Sequence, residues 1–259
     1  MELSQCNWVN VKIVSICAPN LRSLSIIDET FVPHWNESDS CQIMIFGNFL
    51  KLFKYHGDFL NDYCFYDSSS LDEVHVEVDY VGERSRIVAY RSYKLLRGIS
   101  DVNKLVLSDV AIEVLDHAME VLVRLPLFNN LSYLTMDTEA VYLDCKALLK
   151  MLQNSPCLEV LKFSGGVNLS PDYEKAKGIM DPVPPCFLTH LKEITFYEFS
   201  GDKEQYIDVV EIFLHGAVVL DKLAVFCGKS VWPLEEFEEV HKQLLELPRA
   251  SGVLVMTLI

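Results

Sequence analysis

A short apolar spacing recurs along this chain, and the recurrence constrains the fold more than any single motif does. The spacing is a hexamer with apolar residues at its first, fourth and sixth positions. At 50% apolar content about one hexamer in eight fits by chance, so the regular separation of the matches, 21 to 33 residues, indicates a repeat. The eight matches begin at Leu21, Leu50, Leu71, Val102, Leu131, Leu158, Leu191 and Leu220.

The mean separation of about 28 residues lies at the long end of the range of ~20–29 residues for leucine-rich repeats. Turn-forming residues precede several matches, as in Ala-Pro-Asn at 18–20 and Asn-Ser-Pro-Cys at 154–157. Crossovers of this length allow neighbouring strands to pair in parallel. The repeat therefore predicts an α/β fold: a leucine-rich-repeat-like solenoid with parallel strands on the concave face and helices on the convex face.

The segments between the matches fall into two groups. Helical periodicity is present in 84–97 before Gly98, in 109–122 with Asp109 as cap, after Asp144, from Asp202 to Gly216, and after Pro233. It is missing from Asp28–Phe49, Gly57–Ser70 and Ser164–Phe187. The last of these contains four prolines and marks the best internal boundary.

The net charge indicates which classes of partner are disfavoured, and the cysteines bear on the cellular compartment. The 37 acidic residues against 22 basic ones give a net charge of −15, which disfavours nucleic acid and anionic membranes. No apolar run approaches the ~20 residues of a membrane helix, and residues 1–19 do not resemble a signal peptide. We therefore expect a cytoplasmic or nuclear protein whose eight cysteines are reduced.

Motifs for catalysis or metal binding are missing from the sequence. It contains no Gly-x-Ser-x-Gly, phosphate-binding loop or Gly-x-Gly-x-x-Gly, and its histidines lack zinc-site spacing. We predict no catalytic residues, no cofactor and no metal. The basic stretch Arg84–Arg97 is interpreted as a solvated helix face.

The repeat does predict a binding surface, because side chains alternate along each strand and every second one points away from the core. Its mixed charges suit a protein partner better than a small molecule. A merely solvated sheet face remains an equal alternative. The predicted partner-binding residues are Lys54, His56, Glu73, His75, Glu77, Lys104, Ser108, Tyr133, Thr135 and Asp137.

The C-terminal part resembles a known domain. Pro-Val-Pro-Pro-Cys-Phe-Leu from Pro182, Leu-Lys-Glu-Ile-Thr-Phe from Leu191 and Ala-Val-Val-Leu-Asp-Lys-Leu from Ala217 are similar to the FBD domain of plant F-box/LRR-repeat proteins. The upstream repeats resemble the leucine-rich part of the same proteins. The resemblance implies two parts, irregular leucine-rich repeats at 1–181, starting mid-repeat, and an FBD domain at 182–259 that continues the solenoid. It also implies a non-catalytic module that recruits a protein substrate to a ubiquitin ligase.

Two departures from the family pattern qualify this expectation. The chain contains no F-box, so we expect it to bind the adaptor of an SCF-type ligase only if an F-box is supplied. The first repeat has no capping helix, so we also expect an exposed, aggregation-prone edge strand near Leu3. The buried asparagine row of regular leucine-rich repeats is also missing, which predicts varied turn contacts and an irregular curve. Alternatives are a free-standing leucine-rich scaffold, such as a truncated paralogue without ligase activity, and an unrecognised enzyme.

Overall fold

A computed structural model of the chain divides into two compact units, Met1–Leu131 and Ser132–Ile259. Within each unit, the described strands pair only in parallel, so the predicted α/β class with parallel strands is confirmed. The described residues are 1–4, 6, 8, 10–28, 40–79, 85–137, 139–171, 178–197, 203–226, 234–251 and 255–258.

The first unit contains two parallel sheets, with strand orders β1-β3-β5-β7-β8 and β2-β4-β6. The strands are β1 (Glu2–Ser4), β2 (Ile13–Cys17), β3 (Ser23–Asp28), β4 (Gln42–Phe46), β5 (Leu52–Gly57), β6 (Asp62–Tyr66), β7 (Glu73–Val78) and β8 (Lys104–Ser108). The helices are α1 (Ser85–Gly98), α2 (Asp109–Glu113), a 3-10 turn (Val114–His117) and α3 (Met119–Leu122).

The repeated apolar positions form the core of the first unit, as predicted. Leu24, Phe53, Val74 and Leu105, the fourth positions of four successive hexamers, are all fully buried. They lie in register across β3, β5, β7 and β8. Alternation along each strand then places the charged residues between them on the opposite side of the sheet.

Strands, not helices, form the second layer over the first repeats. The segments Asp28–Phe49 and Gly57–Ser70, which lack helical periodicity, contribute β4 and β6. Ile43 and Ile45 of β4 are buried, so this sheet also covers the core. The general prediction of helices on that face is therefore wrong for these repeats, whereas the missing helical periodicity of the two segments agrees with the strands that they form.

Two predicted helices of the first unit differ in detail. In α1, Arg91 is only 6% exposed, so the predicted solvated helix face is wrong for this residue. The predicted helix at 109–122 is broken into α2, the 3-10 turn and α3. Ala118 interrupts it with a non-helical backbone, φ −140° and ψ 80°.

The second unit repeats strand and crossover, with strand order β9-β11-β13-β14-β15 and a small β10-β12 pair. The strands are β9 (Tyr133–Asp137), β10 (Val141–Tyr142), β11 (Val160–Phe163), β12 (Val167–Asn168), β13 (Glu193–Tyr197), β14 (Lys222–Phe226) and β15 (Val255–Leu258). The helices are α4 (Lys146–Gln153), α5 (Pro185–Thr189), α6 (Lys203–Gly216) and α7 (Leu234–Glu246).

Aromatic residues fill much of the core of the second unit. Phe163 and Phe196 stack with ring centroids 5.5 Å apart, and Phe213 of α6 packs against both rings. The predicted helices after Asp144 and Asp202 are present as α4 and α6, although Asp202 itself and Pro233 lie outside the described residues. The sequence-based division at 181/182 stays a prediction.

A buried polar cluster in the first unit illustrates the varied contacts expected where no asparagine row exists. Asp28, at the end of β3, is 7% exposed. Its carboxylate accepts hydrogen bonds from the Tyr63 hydroxyl at 2.8 Å, from the Tyr55 hydroxyl at 3.4 Å and from the Asn61 amide at 3.4 Å. Burial raises the pKa of Asp28 above its ordinary value, against the effect of these hydrogen bonds.

Two substitutions of Asp28 are expected to separate its hydrogen bonds from its charge. Asp28→Ala leaves buried donors on Tyr55, Tyr63 and Asn61 without this acceptor, so the free energy of unfolding should fall by about 1–3 kcal/mol. Asp28→Asn keeps an oxygen acceptor for Tyr63 and cannot ionise. Urea denaturation of both variants and the wild type, followed by circular dichroism, measures these costs.

The pH dependence of the same melts tests the raised pKa. A carboxyl whose pKa is higher in the folded state stabilises the fold below its unfolded pKa of about 3.9, and this contribution is lost as the pH rises through the folded pKa. Relative to wild type, Asp28→Asn should therefore gain stability as the pH rises above about 4 and through the raised pKa of Asp28. A stability difference that does not change with pH above about 4 would contradict the assignment.

Candidate functional site

The side chains on the outward side of β5, β7 and β8 form a charged surface, here called the first-unit strip. The strand register places Lys54 beside His75, His56 beside Glu77, and Glu73 beside Lys104. Lys54 and Glu77 are exposed, and the other four are half-buried. The structure thus brings together six of the seven first-unit residues predicted to bind a partner.

Of the two acidic residues in the first-unit strip, Glu73 has the shorter contacts with basic side chains. Its carboxylate lies 2.6 Å from Nε2 of His75 and 2.9 Å from Nζ of Lys104. The hydrogen bond from His75, supported by the one from Lys104, lowers the pKa of Glu73. Glu73 is therefore ionised at neutral pH and orients two basic side chains on neighbouring positions of the strip.

His56 lies among acidic residues at the carboxyl end of the strip. Its Nε2 is 3.1 Å from the carboxylate of Asp79, and its Nδ1 is 3.8 Å from that of Glu77. Asp79 was missed in the sequence analysis, although it continues the alternation of Glu73, His75 and Glu77 by one step beyond β7. The ends of the strip thus differ, with Lys104 at one end and Glu77 and Asp79 at the other.

Ser108 does not belong to the surface, so its assignment to the partner-binding residues is wrong. It is 2% exposed and is the N-cap of α2, where its hydroxyl accepts a hydrogen bond from the Ala111 amide. The Val78 amide also donates to this hydroxyl at 3.0 Å. A serine directly before a helix is a strong N-cap residue, so the sequence already favours Ser108 over the predicted Asp109 as the cap.

The predicted residues of the second unit lie on the outward side of β9. Tyr133 and Thr135 are half-buried and Asp137 is exposed. Nζ of Lys162, on the neighbouring strand β11, lies 5.0 Å from the centroid of the Tyr133 ring. A hydrogen bond with the Tyr133 side chain raises the pKa of Lys162, so this lysine is protonated at neutral pH and adds a positive charge to the surface.

The described residues give no indication of a metal centre or a membrane segment. They hold no group of three or more His, Cys, Asp or Glu side chains placed to bind a metal ion. None of the helices in the described ranges has the length and hydrophobicity needed to span a bilayer. The seven cysteines in those ranges are free thiols.

Comparisons with known proteins match the C-terminal part and the whole chain separately. The FBD family model matches residues 181–225. The F-box/FBD/LRR-repeat protein At5g56420 of Arabidopsis thaliana is 26% identical over 255 residues, which cover 97% of this chain and 55% of the relative. The F-box/LRR-repeat protein At3g59200 of the same plant is 25% identical over 279 residues, covering 97% and 51%.

One further relative matches over a shorter stretch with a higher identity. Another Arabidopsis F-box/LRR-repeat protein, At5g41840, is 42% identical over 88 residues, which are 34% of this chain and 15% of that protein. No solved structure gives a significant match. The chain spans about half the length of the curated relatives that it matches along nearly its whole length. The FBD match and these relatives agree with the FBD and repeat features of the sequence, and they confirm the resemblance of the chain to plant F-box/FBD/LRR-repeat proteins.

Proposed function

We propose that this chain is a non-catalytic protein-recognition module, similar to the substrate-recruiting repeats of F-box/FBD/LRR ubiquitin-ligase subunits. The first-unit strip carries the proposal. Its charged side chains stand in register on neighbouring parallel strands, with paired acidic and basic groups at defined positions. An ordered pattern of charges of both signs favours a specific protein surface as the partner.

The repeat architecture supports the same function. In each unit a strand is followed by a crossover and a parallel strand, which is how leucine-rich repeats are built. We infer a leucine-rich-repeat-like solenoid in which the strand face is concave, because solenoids use such extended faces to bind partners. The net charge of −15 supports a protein partner over nucleic acid, whose phosphates it would repel.

The proposed link to ubiquitin transfer comes from the relatives, whose names include an F-box. In that role the chain would hold an unidentified protein substrate, and an F-box would contact the ligase adaptor. The free thiols of the described residues are consistent with the cytoplasm or nucleus, the proposed location. Co-purification of the adaptor with residues 1–259 alone would indicate that this chain binds the adaptor directly. That result would contradict the proposal that the chain holds the substrate while an F-box contacts the adaptor.

A charge exchange within the strip tests the recognition function. Lys54→Glu combined with Glu77→Lys keeps the net charge of the chain and alters two exposed positions of the strip. Because surface substitutions change stability by no more than about 0.5 kcal/mol, the fold should persist. Proximity labelling in plant cells should show at least one protein whose labelling falls roughly tenfold with this variant, as expected for the loss of about 1.4 kcal/mol.

A matched exchange away from the strip is the control. Arg86 of α1 and Glu120 of α3 form an ion pair at 2.7 Å, and Arg86→Glu with Glu120→Arg restores the pair with reversed signs. The control variant should label the same proteins as the wild type. If both exchanges change the labelled proteins equally, or neither does, the strip is not the recognition surface.

A further inference from the structure

A cavity of about 450 Å³ lies beside α6 in the second unit. One wall comes from the segment 178–183, which leads into α5, and the other from the C-terminal half of α6. Its volume lies within the range of ~300–1,000 Å³ for ligand-binding pockets. We call this cavity the α6 pocket, and it is a separate candidate site because the first-unit strip lies in the other unit.

The helix α6 has one face toward the core and another toward the pocket. Val209 and Phe213 are buried in the core. Asp208, Glu211 and Ile212 line the pocket and are half-buried. Residues three or four apart lie on one face of a helix, about 5–6 Å apart at Cβ, so the two carboxylates are neighbours along the pocket wall.

Apolar side chains form much of the pocket lining. Ile179, Met180 and Val183 contribute from the segment before α5, and Ile212 contributes from α6. Met180 is buried and the other three are half-buried, so they combine packing against the protein with a surface toward the pocket. Such a surface favours an aliphatic group, because contact removes apolar area from water.

The charges around the apolar lining are mainly negative. Asp181, Asp208 and Glu211 contribute carboxylates, and the described lining residues include no lysine or arginine. His215, in the last turn of α6, is the one described lining residue that can gain a positive charge. The helix ends at Gly216, also in the lining, where its dipole adds a partial negative charge. The pocket is therefore complementary to a cation on an aliphatic stem.

We propose that the α6 pocket binds an arginine side chain of a protein partner, within a segment in which an apolar residue is next to the arginine. This site goes beyond the proposed function and does not depend on the first-unit strip. A guanidinium group has five donors in one plane, so it can contact more than one carboxylate, and its aliphatic stem packs on apolar side chains. The rest of the apolar lining provides a contact surface for the neighbouring residue.

Contacts within the protein are compatible with this binding. Asp208 and Glu211 also interact inside the protein. A carboxylate has about four acceptor positions, so each can accept further hydrogen bonds from a guanidinium group. The net charge of −15 attracts basic segments to the chain in general. A test of the pocket therefore has to compare variants that change this net charge equally.

Binding of short synthetic peptides to the full 259-residue chain tests the proposal. The probe is a hexapeptide with blocked ends, leucine and arginine at its centre, and serine and glycine elsewhere. Saturation-transfer NMR should detect it with a Kd of about 1 mM or tighter. Citrulline has nearly the shape of arginine without its charge, and this replacement should weaken binding roughly tenfold or more. Replacing the leucine by glycine should also weaken binding, because apolar contact is lost.

Two matched double variants locate the binding. Asp181→Asn with Glu211→Gln removes two carboxylates from the pocket and should weaken binding of the arginine peptide roughly tenfold or more. Glu204→Gln with Glu238→Gln removes two exposed carboxylates of α6 and α7 outside the pocket lining. Both variants change the net charge by the same amount, so the control should alter the affinity by less than about twofold. Thermal melts report whether both are folded, and Asp181→Asn alone, at an exposed position, carries the test if the pocket variant is not.

Three results would overturn the inference: no saturation transfer to the arginine peptide, equal binding of the arginine and citrulline peptides, or equal weakening by the two double variants. Spermidine that binds as tightly as the arginine peptide would also overturn it, because the pocket would then select a small polyamine. The proposed function is tested separately by labelling that depends on the first-unit strip. Either proposal can therefore fail while the other holds.

Discussion

Replacing Arg91 by alanine is expected to lower the free energy of unfolding by about 3–5 kcal/mol, because it removes two buried hydrogen bonds from a charged donor, each worth about 1.5–3 kcal/mol. The guanidinium group is buried and donates hydrogen bonds from Nη1 to the carbonyl oxygens of Phe59 and Leu60 at 2.8 and 2.7 Å. Its Nε also lies 3.4 Å from the carboxylate of Asp62. Alanine would leave two buried carbonyl oxygens without these donors.

The backbone that Arg91 contacts explains why the effect should be large. Phe59 has a φ of 49°, a left-handed conformation that a bulky residue adopts only when the surroundings hold it. The Tyr55 hydroxyl accepts a hydrogen bond from the Phe59 amide at 2.6 Å, and Arg91 holds the carbonyl side of the same residue. Loss of Arg91 should therefore loosen the segment that leads into β6.

Lys94→Ala is the matched control, since Lys94 is in the same helix and contacts the same carboxylate. Its Nζ lies 2.6 Å from Asp62, but its side chain is 49% exposed. An exposed ion pair contributes about 0–1 kcal/mol, so this variant should be nearly as stable as the wild type. Urea melts followed by circular dichroism compare the two variants. Equal losses of stability would contradict the conclusion that the buried contacts of Arg91 stabilise the fold more than the exposed ion pair of Lys94 does.

Leu161→Ala is expected to cost about 2–5 kcal/mol, the usual range for deleting a buried leucine side chain. Leu161 is fully buried in β11, between Leu134 of β9 and Ile194 of β13, which are also fully buried. A cavity at this point would border three neighbouring strands. Strand pairing restricts how far the surroundings can close it.

The adjacent residue provides the comparison. Lys162 points to the opposite side of the sheet and is half-buried there, with its ammonium group over Tyr133. Lys162→Ala should cost no more than about 1 kcal/mol, the value of an exposed cation–π contact. Denaturant melts of the two variants measure the difference. A loss for Lys162→Ala as large as that for Leu161→Ala would mean that the strand register is wrong.

Much of the core and of the first-unit strip could be predicted because both follow from local periodicity. Phe53 and Val74 face the core while Lys54 and His75 face outward, since side chains alternate along a strand whatever lies beyond it. The pairing of Glu73 with Lys104 follows from equal positions in two successive repeats. The inward and outward faces and the Glu73–Lys104 pair can be predicted from the strand period and the parallel register alone.

The errors concern residues whose surroundings come from distant parts of the chain. Arg91 looked like one of several exposed helix charges, but α1 packs on β6 and brings it to carbonyl groups about 30 residues earlier. Asp28 meets Tyr55 and Tyr63 only through the fold. No local pattern reports how deeply a polar side chain will be buried.

Residue order along short segments was sufficient to predict the repeat, the parallel α/β class, the inward and outward sides of the strands and the family resemblance. Three other features became visible only in the folded chain: β4 and β6 take the place of helices over the first repeats, Ser108 is a buried cap, and Tyr197 and Phe226 stack. Burial and side-chain contacts are set by packing between segments far apart in the chain, and local propensity gives way to that packing.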